Sequence, residues 1–278
     1  AACGGSSDDS APAVTPTPPA SVTTATDVAK AAAAVIAAST AFDVVIGGGK
    51  DGIEEVITGG KAAKDISCGT SLSAGKLKVT TNTSTAYPKD GTDVSSMCLE
   101  SGEKFDGTLV YQCNDATCDN SVATATNYVW GNTTTGVDLK VNGTLTATDK
   151  DNYKGVSTVL KGGSAINFTF NDGLVFTYPS HNTVGTDSFG KLVVSGGSAF
   201  NCIDGELSYA VTTPLTTPSG PQVIGSGAVK ISVGGSEVGT VTFNADDSVS
   251  VKMKDGSVTP VTKDVYQSYC GLKEVFSF

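Results

Sequence analysis

The sequence contains no arginine. All 18 of its basic residues are lysines, and they face 28 aspartates and glutamates, which gives a net charge of −10. Without guanidinium groups the chain lacks the planar, two-point recognition of phosphate that arginine provides. A strongly negative chain is also repelled by nucleic acid and by anionic lipid surfaces. We therefore expect no nucleic-acid partner, and no membrane contact through the protein surface itself.

Histidine and tryptophan occur once each, as His181 and Trp130. A catalytic triad would have to use His181, but His181 lies in a segment typical of a surface loop and the sequence has no Gly-x-Ser-x-Gly motif. The Ser-x-x-Lys matches at Ser73 and Ser101 fall in turn-rich β segments. A lone tryptophan in a predicted strand leaves few aromatic platforms for a sugar-cleaving groove. We predict that the protein is not an enzyme; a hydrolase with a carboxylate pair is the open alternative.

Long apolar runs and complete ligand-binding motifs are also missing. No stretch reaches 18 consecutive apolar residues, so we predict no transmembrane helix. The run Gly47-Gly48-Gly49-Lys50 is followed by Asp51 rather than the serine or threonine of a phosphate loop. The acidic turns at 149–152 and 244–247 do not match a calcium-binding EF-hand loop. We therefore expect no cofactor and no metal.

Seven cysteines stand out in this composition, and six of them follow the N-terminal region. Zinc sites usually need close cysteine pairs in twos, often with histidine, whereas here only one close pair exists. An even number of thiols favours disulfides and an oxidising compartment. We predict the pairs Cys113–Cys118, which closes a tight loop, Cys68–Cys98 and Cys202–Cys270.

Composition divides the chain into three parts. Residues 1–25 are rich in Pro, Thr and Ser and form a predicted linker. Residues 26–60 favour helix: Thr26 or Asp27 caps an alanine-rich run, and a second short helix is expected at Asp51–Thr58. From residue 61 to 278 alternating apolar and polar residues predict a disulfide-linked β domain. Three prolines between Thr212 and Gln222 mark a long connection, where two sub-domains divide near 210–225 or a binding loop is exposed.

Turn dipeptides between alternating runs predict β-hairpins. The expected turns are centred on Asn142-Gly143, Asn171-Asp172-Gly173, Gly234-Gly235 and Asp255-Gly256. Alternation puts apolar side chains on one face and Thr, Ser, Lys and Asn on the other. The predicted fold is mainly β: an antiparallel sandwich or meander with one or two short N-terminal helices.

The first residues, Ala1-Ala2-Cys3-Gly4-Gly5-Ser6-Ser7, resemble the processing site of bacterial lipoproteins. In that family the cysteine after a small-residue box carries the lipid, and a flexible tether leads to the folded domain. The resemblance implies that Cys3 is lipidated and that the protein is anchored to the outer membrane of a bacterial envelope. The alternatives are that Cys3 is an ordinary thiol or a disulfide partner, and that the protein is extracellular.

These observations favour a non-catalytic structural or adhesive protein of the bacterial cell surface or exterior. Its partners would be other copies of itself or another surface protein, with a membrane contacted only through a lipid on Cys3. In one version the N-terminal tail joins subunits into a filament by completing a sheet in the next copy. The alternative is an envelope lipoprotein that binds a ligand or protein through a loop of the β domain.

Overall fold

The computed structural model describes residues 18–40, 65–67, 76–81, 86–100, 103–132, 137–148, 153–161, 164–170, 183–184, 189–216 and 225–275. Cys3, the glycine run at 47–49, the helix expected at Asp51–Thr58, Cys68 and His181 lie outside these residues. Cys98 and Trp130 are in described strands, but their side chains are not described.

The described residues form a mainly β structure, as predicted. Its fifteen strands are β1 (Asp65–Ser67), β2 (Lys76–Thr81), β3 (Lys89–Glu100), β4 (Glu103–Cys113), β5 (Ser121–Asn132), β6 (Val137–Ala147), β7 (Tyr153–Lys161), β8 (Ser164–Phe170), β9 (Thr183–Val184), β10 (Phe189–Ser195), β11 (Gly205–Thr216), β12 (Ser226–Val233), β13 (Ser236–Phe243), β14 (Val249–Met253) and β15 (Val258–Val261).

The strands form one antiparallel sheet in which chain neighbours are almost always sheet neighbours. The order runs from β1 to β8, then from β10 to β15, and the short β9 pairs with β11 beside this path. The predicted meander is therefore confirmed. β11 and β12 pair directly from Ser208↔Ser232 to Thr216↔Ser226, so the sheet continues across the long connection. The division into sub-domains near 210–225 stays a prediction.

The predicted hairpin turns have different outcomes. The turns at Gly234-Gly235 and Asp255-Gly256 join β12 to β13 and β14 to β15, as expected. The turn at Asn142-Gly143 is wrong, because β6 runs through it without interruption. The neighbouring strand β5 has a bulge there, and the Asn142 side-chain oxygen accepts a hydrogen bond from the Asn127 N–H at 2.6 Å. The Asn142 side chain therefore hydrogen-bonds to the backbone of the bulge on β5. The turn expected at 171–173 lies outside the described residues.

A helix, α1 (residues 25–40), precedes the sheet. Its N-cap is Thr24, two or three residues before the predicted cap at Thr26 or Asp27. The Asp27 N–H donates to the Thr24 hydroxyl at 3.2 Å, while the Asp27 carboxylate accepts from the Thr24 N–H at 2.8 Å, which is a capping box. Partial burial raises the pKa of Asp27, but hydrogen bonds from Thr23 and Thr24 outweigh it, so the pKa is lowered.

Residues 31–40 of helix α1 are buried on every side. Each residue from Ala31 to Ala38 is at most 2% exposed, and these side chains share one hydrophobic cluster with inward-facing strand residues such as Leu109, Val229 and Val251. Alanine suits this position because its small side chain lets sheet and helix approach closely. At Gly239 on β13, an added Cβ would lie 3.2 Å from the methyl carbons of Val28.

The C-terminal region closes over α1. Two short helices, α2 (Lys263–Gln267) and α3 (Leu272–Val275), follow β15 and were not predicted. Between them Cys270 forms a disulfide with Cys202, which confirms that predicted pair. Cys270 Sγ lies 3.2 Å from the Lys30 carbonyl oxygen, a packing contact, since a disulfide sulfur carries no hydrogen. The Lys30 ammonium lies 5.6 Å from the centre of the Tyr269 ring. The connection between α2 and α3 therefore contacts α1 directly.

None of the helices in the described part of the chain combines the length and the apolar character that crossing a membrane would require.

Loss of the Cys202–Cys270 disulfide is expected to destabilise the fold more than loss of Cys113–Cys118. The two bridges span 68 and 5 residues. On the chain-entropy account, closing these loops contributes about 4 and about 2 kcal/mol. We expect Cys202→Ser/Cys270→Ser to lower the free energy of unfolding in urea about twice as much as Cys113→Ser/Cys118→Ser. Equal losses from the two double variants would contradict this.

Candidate functional site

The structure brings together only part of the residues singled out in the sequence. Cys113 and Cys118 form a disulfide, as predicted. Cys98 lies on β3 opposite Phe105 of β4, while its predicted partner Cys68 is outside the described residues. Thr212, Thr213 and Pro214 are exposed near the end of β11, and residues 217–222 of the same predicted loop are not described. The lipid site at Cys3 likewise stays a prediction.

The end of the predicted linker is hydrogen-bonded to the sheet. The Ala20 N–H donates to the Glu206 carbonyl at 2.9 Å, and the Glu206 N–H donates to the Pro18 carbonyl at 3.0 Å. Pro19 and Glu206 thus form a parallel bridge. On this side β11 does not meet β12 until Ser208, so residues 18–20 occupy the edge that β12 leaves open. We call residues 18–20 the docked segment.

Gly205 makes room for the docked segment. Its φ of +114° is unfavourable for a side chain, and an added Cβ would lie 2.6 Å from Ala20 Cα and 2.7 Å from Ala20 N. Ala20 and Val22 are themselves buried, at 5% and 8% exposed. The chain then enters α1 through the Thr24 capping box. From residue 18 onward the N-terminal region is therefore part of the folded domain, and no longer a linker.

A second candidate is the loop between β4 and β5, which the Cys113–Cys118 disulfide closes. The Asp115 carboxylate at its centre accepts hydrogen bonds from the N–H groups of Thr117, Asp119 and Asn120, at 3.0 to 3.1 Å. It also accepts from the Thr117 hydroxyl at 2.9 Å and from the Asn120 side-chain amide at 2.7 Å. A carboxylate with five donors has no lone pair left for a cation, so this loop is a rigid exposed tip and a poor metal ligand.

These donors also set the acidity of Asp115. They stabilise the charged form, with the Asn120 side-chain hydrogen bond as the largest contribution, and lower the pKa of Asp115 from 3.8 to about 2. The loop geometry therefore depends on an ionised carboxylate.

The outward face of the sheet carries hydrogen-bonded polar side chains. The Thr124 and Thr144 hydroxyls lie 3.2 Å apart across β5 and β6. Thr158 on β7 donates to the Asn167 side-chain oxygen on β8 at 2.7 Å, and the Asn167 amide donates to the Ser195 hydroxyl on β10 at 3.2 Å. Such cross-strand pairs stabilise neighbouring strands. This is the polar face that alternation predicts.

A third candidate is a shallow concavity of about 470 Å³ on the outward face of β13 and β14. Charged and hydroxyl-bearing residues line it, together with Met253, whose side chain packs against the core: Glu237, Thr240, Thr242, Lys252, Met253 and Lys254. We call it the β13–β14 concavity. No motif in the sequence indicates it, because its residues come together only through the pairing register of two strands and the turn that follows β14.

The acidic turn at 244–247 joins β13 to β14. The Asp246 carboxylate accepts from the Ser248 N–H at 3.1 Å and from its hydroxyl at 2.6 Å, and these bonds lower the pKa of Asp246. Asp247 pairs with Lys263 at 3.5 Å. Across the described part of the chain, no three His, Cys, Asp or Glu side chains converge as metal ligands would. In this turn the carboxylates serve hairpin geometry and an ion pair.

Gly205→Ala is expected to release the docked segment. The added methyl would displace Ala20 and cost both backbone hydrogen bonds, each worth about 1 kcal/mol. Gly256→Ala is the matched control, because Gly256 also has positive φ, at +89°, but has nothing within 4 Å of an added Cβ. We expect Gly205→Ala to lower the free energy of unfolding by about 2 kcal/mol more than Gly256→Ala. Hydrogen exchange at the Ala20 amide should accelerate only in Gly205→Ala; unchanged exchange would contradict the docking.

Asp115 is expected to titrate with a pKa of about 2 in the folded protein, against an ordinary value of 3.8. Because the folded-state pKa is lowered, its contribution to stability is complete above the ordinary value and is lost as the pH falls through about 2. Carboxyl-carbon NMR checks the pKa directly.

Asp115→Asn should speed hydrogen exchange at the Asp119 and Asn120 amides at neutral pH. Asp264→Asn, which removes the same charge from an exposed site on α2, should not. A normal pKa for Asp115, or an identical response to both variants, would contradict the proposed role of the carboxylate.

No protein-family model matches this chain, and no curated protein or solved structure matches it either. Its function therefore has to be argued from its own residues. The described features on which an argument can rest are the docked segment, the disulfide-closed loop and the β13–β14 concavity.

Proposed function

We propose that this chain is a non-catalytic structural or adhesive protein of the bacterial cell surface or exterior, held at its N-terminal side. The observation that carries the proposal is the docked segment. Its two hydrogen bonds to Glu206 and the buried helix α1 that follows it join the predicted tether to the centre of the fold. A force applied to the N-terminus then acts on the hydrophobic core. A tether joined only to a surface loop would separate at a lower force.

The disulfides support this setting. Cys113–Cys118 and Cys202–Cys270 indicate a non-cytoplasmic location, because disulfides persist in oxidising compartments. The resemblance of Ala1–Ser7 to a lipoprotein processing site supports the finer proposal, in which a lipid on Cys3 holds the tether at the outer membrane. A polar sheet face and a closed, rigid loop tip fit a protein that must persist outside the cell and contact other surfaces.

Self-association through the tail is a second form of the proposal. Residues 18–20 of another copy can make the same two hydrogen bonds to Glu206, since strand exchange reproduces an existing contact in trans. The edge strand β15 is a weaker route for assembly. It has four residues, and its Pro260 lacks an N–H, two features that limit edge-to-edge pairing. Of these two routes, assembly through the docked segment is therefore the stronger.

Adhesion under flow tests the proposal. Beads carrying the oxidised full chain, attached through its N-terminus, should stay bound to bacterial surfaces or to beads coated with the same chain at shear that removes uncoated beads. Gly205→Ala beads should detach at lower shear than Gly256→Ala beads, because only the former opens the connection between tether and core.

Light scattering separates the two forms of the proposal. A monomer whose beads adhere to bacterial surfaces supports adhesion to a partner, whereas growing particles that Gly205→Ala abolishes support assembly through the docked segment. A monomeric chain whose beads adhere to neither surface would overturn the proposed function.

A further inference from the structure

We infer that the β13–β14 concavity binds an acidic saccharide, that is, a sugar chain bearing carboxylates. The inference rests on the proposed function, because it names the chemistry that an adhesive surface would contact. It is argued from strand register, from charge and from the shape of the surface.

Strand register lines up two lysines on either side of a threonine. Lys230 on β12 lies opposite Thr240 on β13, and Thr240 lies opposite Lys252 on β14. Their chain neighbours Ile231, Val241 and Val251 are fully buried, so the three side chains of this row point outward. With neighbouring strands about 4.8 Å apart, the two lysine backbones are about 10 Å apart. Lys254 follows at the end of β14.

Lys230, Lys252 and Lys254 form no ion pair with a carboxylate among the described residues. The ion pairs described are Lys191–Glu206 at 4.0 Å and Lys263–Asp247 at 3.5 Å, and neither includes them. One carboxylate, Glu237, lines the concavity. Asp255, next to Lys254, accepts from the Ser257 N–H at 2.8 Å and from its hydroxyl at 2.6 Å.

Lys252, Lys254 and Glu237 line the concavity, Lys230 lies beside it opposite Thr240, and Asp255 follows Lys254, so the five residues together carry a net charge of +1. A positive site in a chain of net charge −10 is a local exception.

The shape and chemistry favour a saccharide among possible anions. Ammonium groups on strands about 10 Å apart match charges repeated along a polymer better than one compact ion. Thr240 and Thr242 offer hydroxyls to those of a sugar. A volume of about 470 Å³ lies in the lower range of ligand pockets, about 300–1,000 Å³. The open, shallow form suits a segment of a chain.

Titration of the full chain with a uronic-acid tetrasaccharide tests the inference. Binding is measured by calorimetry and by shifts of the amide NMR signals of Thr240 and Lys252. A neutral glucose tetrasaccharide and inorganic phosphate serve as comparison ligands. We expect the uronic-acid tetrasaccharide alone to bind, and to bind more weakly as salt is raised, since exposed charges are screened over about 8 Å at physiological ionic strength. Equal binding of the neutral sugar, or of phosphate at the same residues, would overturn the inference.

A matched pair of triple variants separates the site from net charge. Lys230→Gln/Lys252→Gln/Lys254→Gln should weaken binding of the tetrasaccharide at least about tenfold. Lys140→Gln/Lys154→Gln/Lys191→Gln removes the same charge from β6, β7 and β10 and should bind like the unaltered chain. Equal loss in both variants would overturn the inference. Melting temperatures of both variants establish that each is folded.

The bead assay distinguishes this inference from the proposed function. If beads carrying the Lys230/Lys252/Lys254 triple variant adhere as well as unaltered beads, adhesion stands and the concavity is not its site. If the tetrasaccharide binds at Thr240 and Lys252 but no beads adhere to any surface, the site stands and the adhesive function fails.

Discussion

The structure depends on the burial of one helix against one sheet. Residues 31–40 of α1 have no exposed face, so their burial has to be matched by inward-facing side chains from strands far apart in the chain, from Leu109 on β4 to Val251 on β14. Alanine makes this possible, because it adds little width to the helix and loses no side-chain entropy on burial. On the sheet, Gly239 lies beside Val28 of the helix, where even the methyl group of an alanine would be crowded.

The docked segment and the C-terminal helices extend this arrangement at the two ends of the described chain. Residues 18–20 bond to β11 on one side, and Cys270 and Tyr269 contact Lys30 of α1 on the other. The disulfide between Cys202 and Cys270 then links the residues just before β11 to the region that covers the helix. The N-terminal segment, the middle of the sheet and the C-terminal region therefore meet at α1. The outward face is left free for other roles, with polar ladders on β5 to β10 and lysines on β12 to β14.

Local patterns predicted the parts of this fold that are decided locally. Alternation and turn dipeptides gave the antiparallel meander and the hairpins around Gly234-Gly235 and Asp255-Gly256, because backbone preference fixes such turns within a few residues. The Asn142-Gly143 turn failed because the same dipeptide also suits a strand beside a bulge, and the bulge lies on β5. Complete burial of α1 could not be predicted, since a run of alanines has no apolar periodicity to mark a face. The short helix α2 was not predicted either, because five residues ending at Gln267 are too few to show a helical periodicity of apolar residues. The β13–β14 concavity depends on the register of separate strands, which no local motif records.

The burial of α1 also has a consequence for the order of events as the chain is made. Synthesis produces residues 25–40 among the first of the described chain, yet the side chains that enclose them extend to Leu272, near its end. Local hydrogen bonds can form the helix early, but its apolar surface stays open to water until the last hairpins and the Cys202–Cys270 disulfide are in place. Contacts between such distant residues slow folding and lengthen the time during which apolar surface is exposed. A chain built in this way completes its fold only after its C-terminal region has emerged.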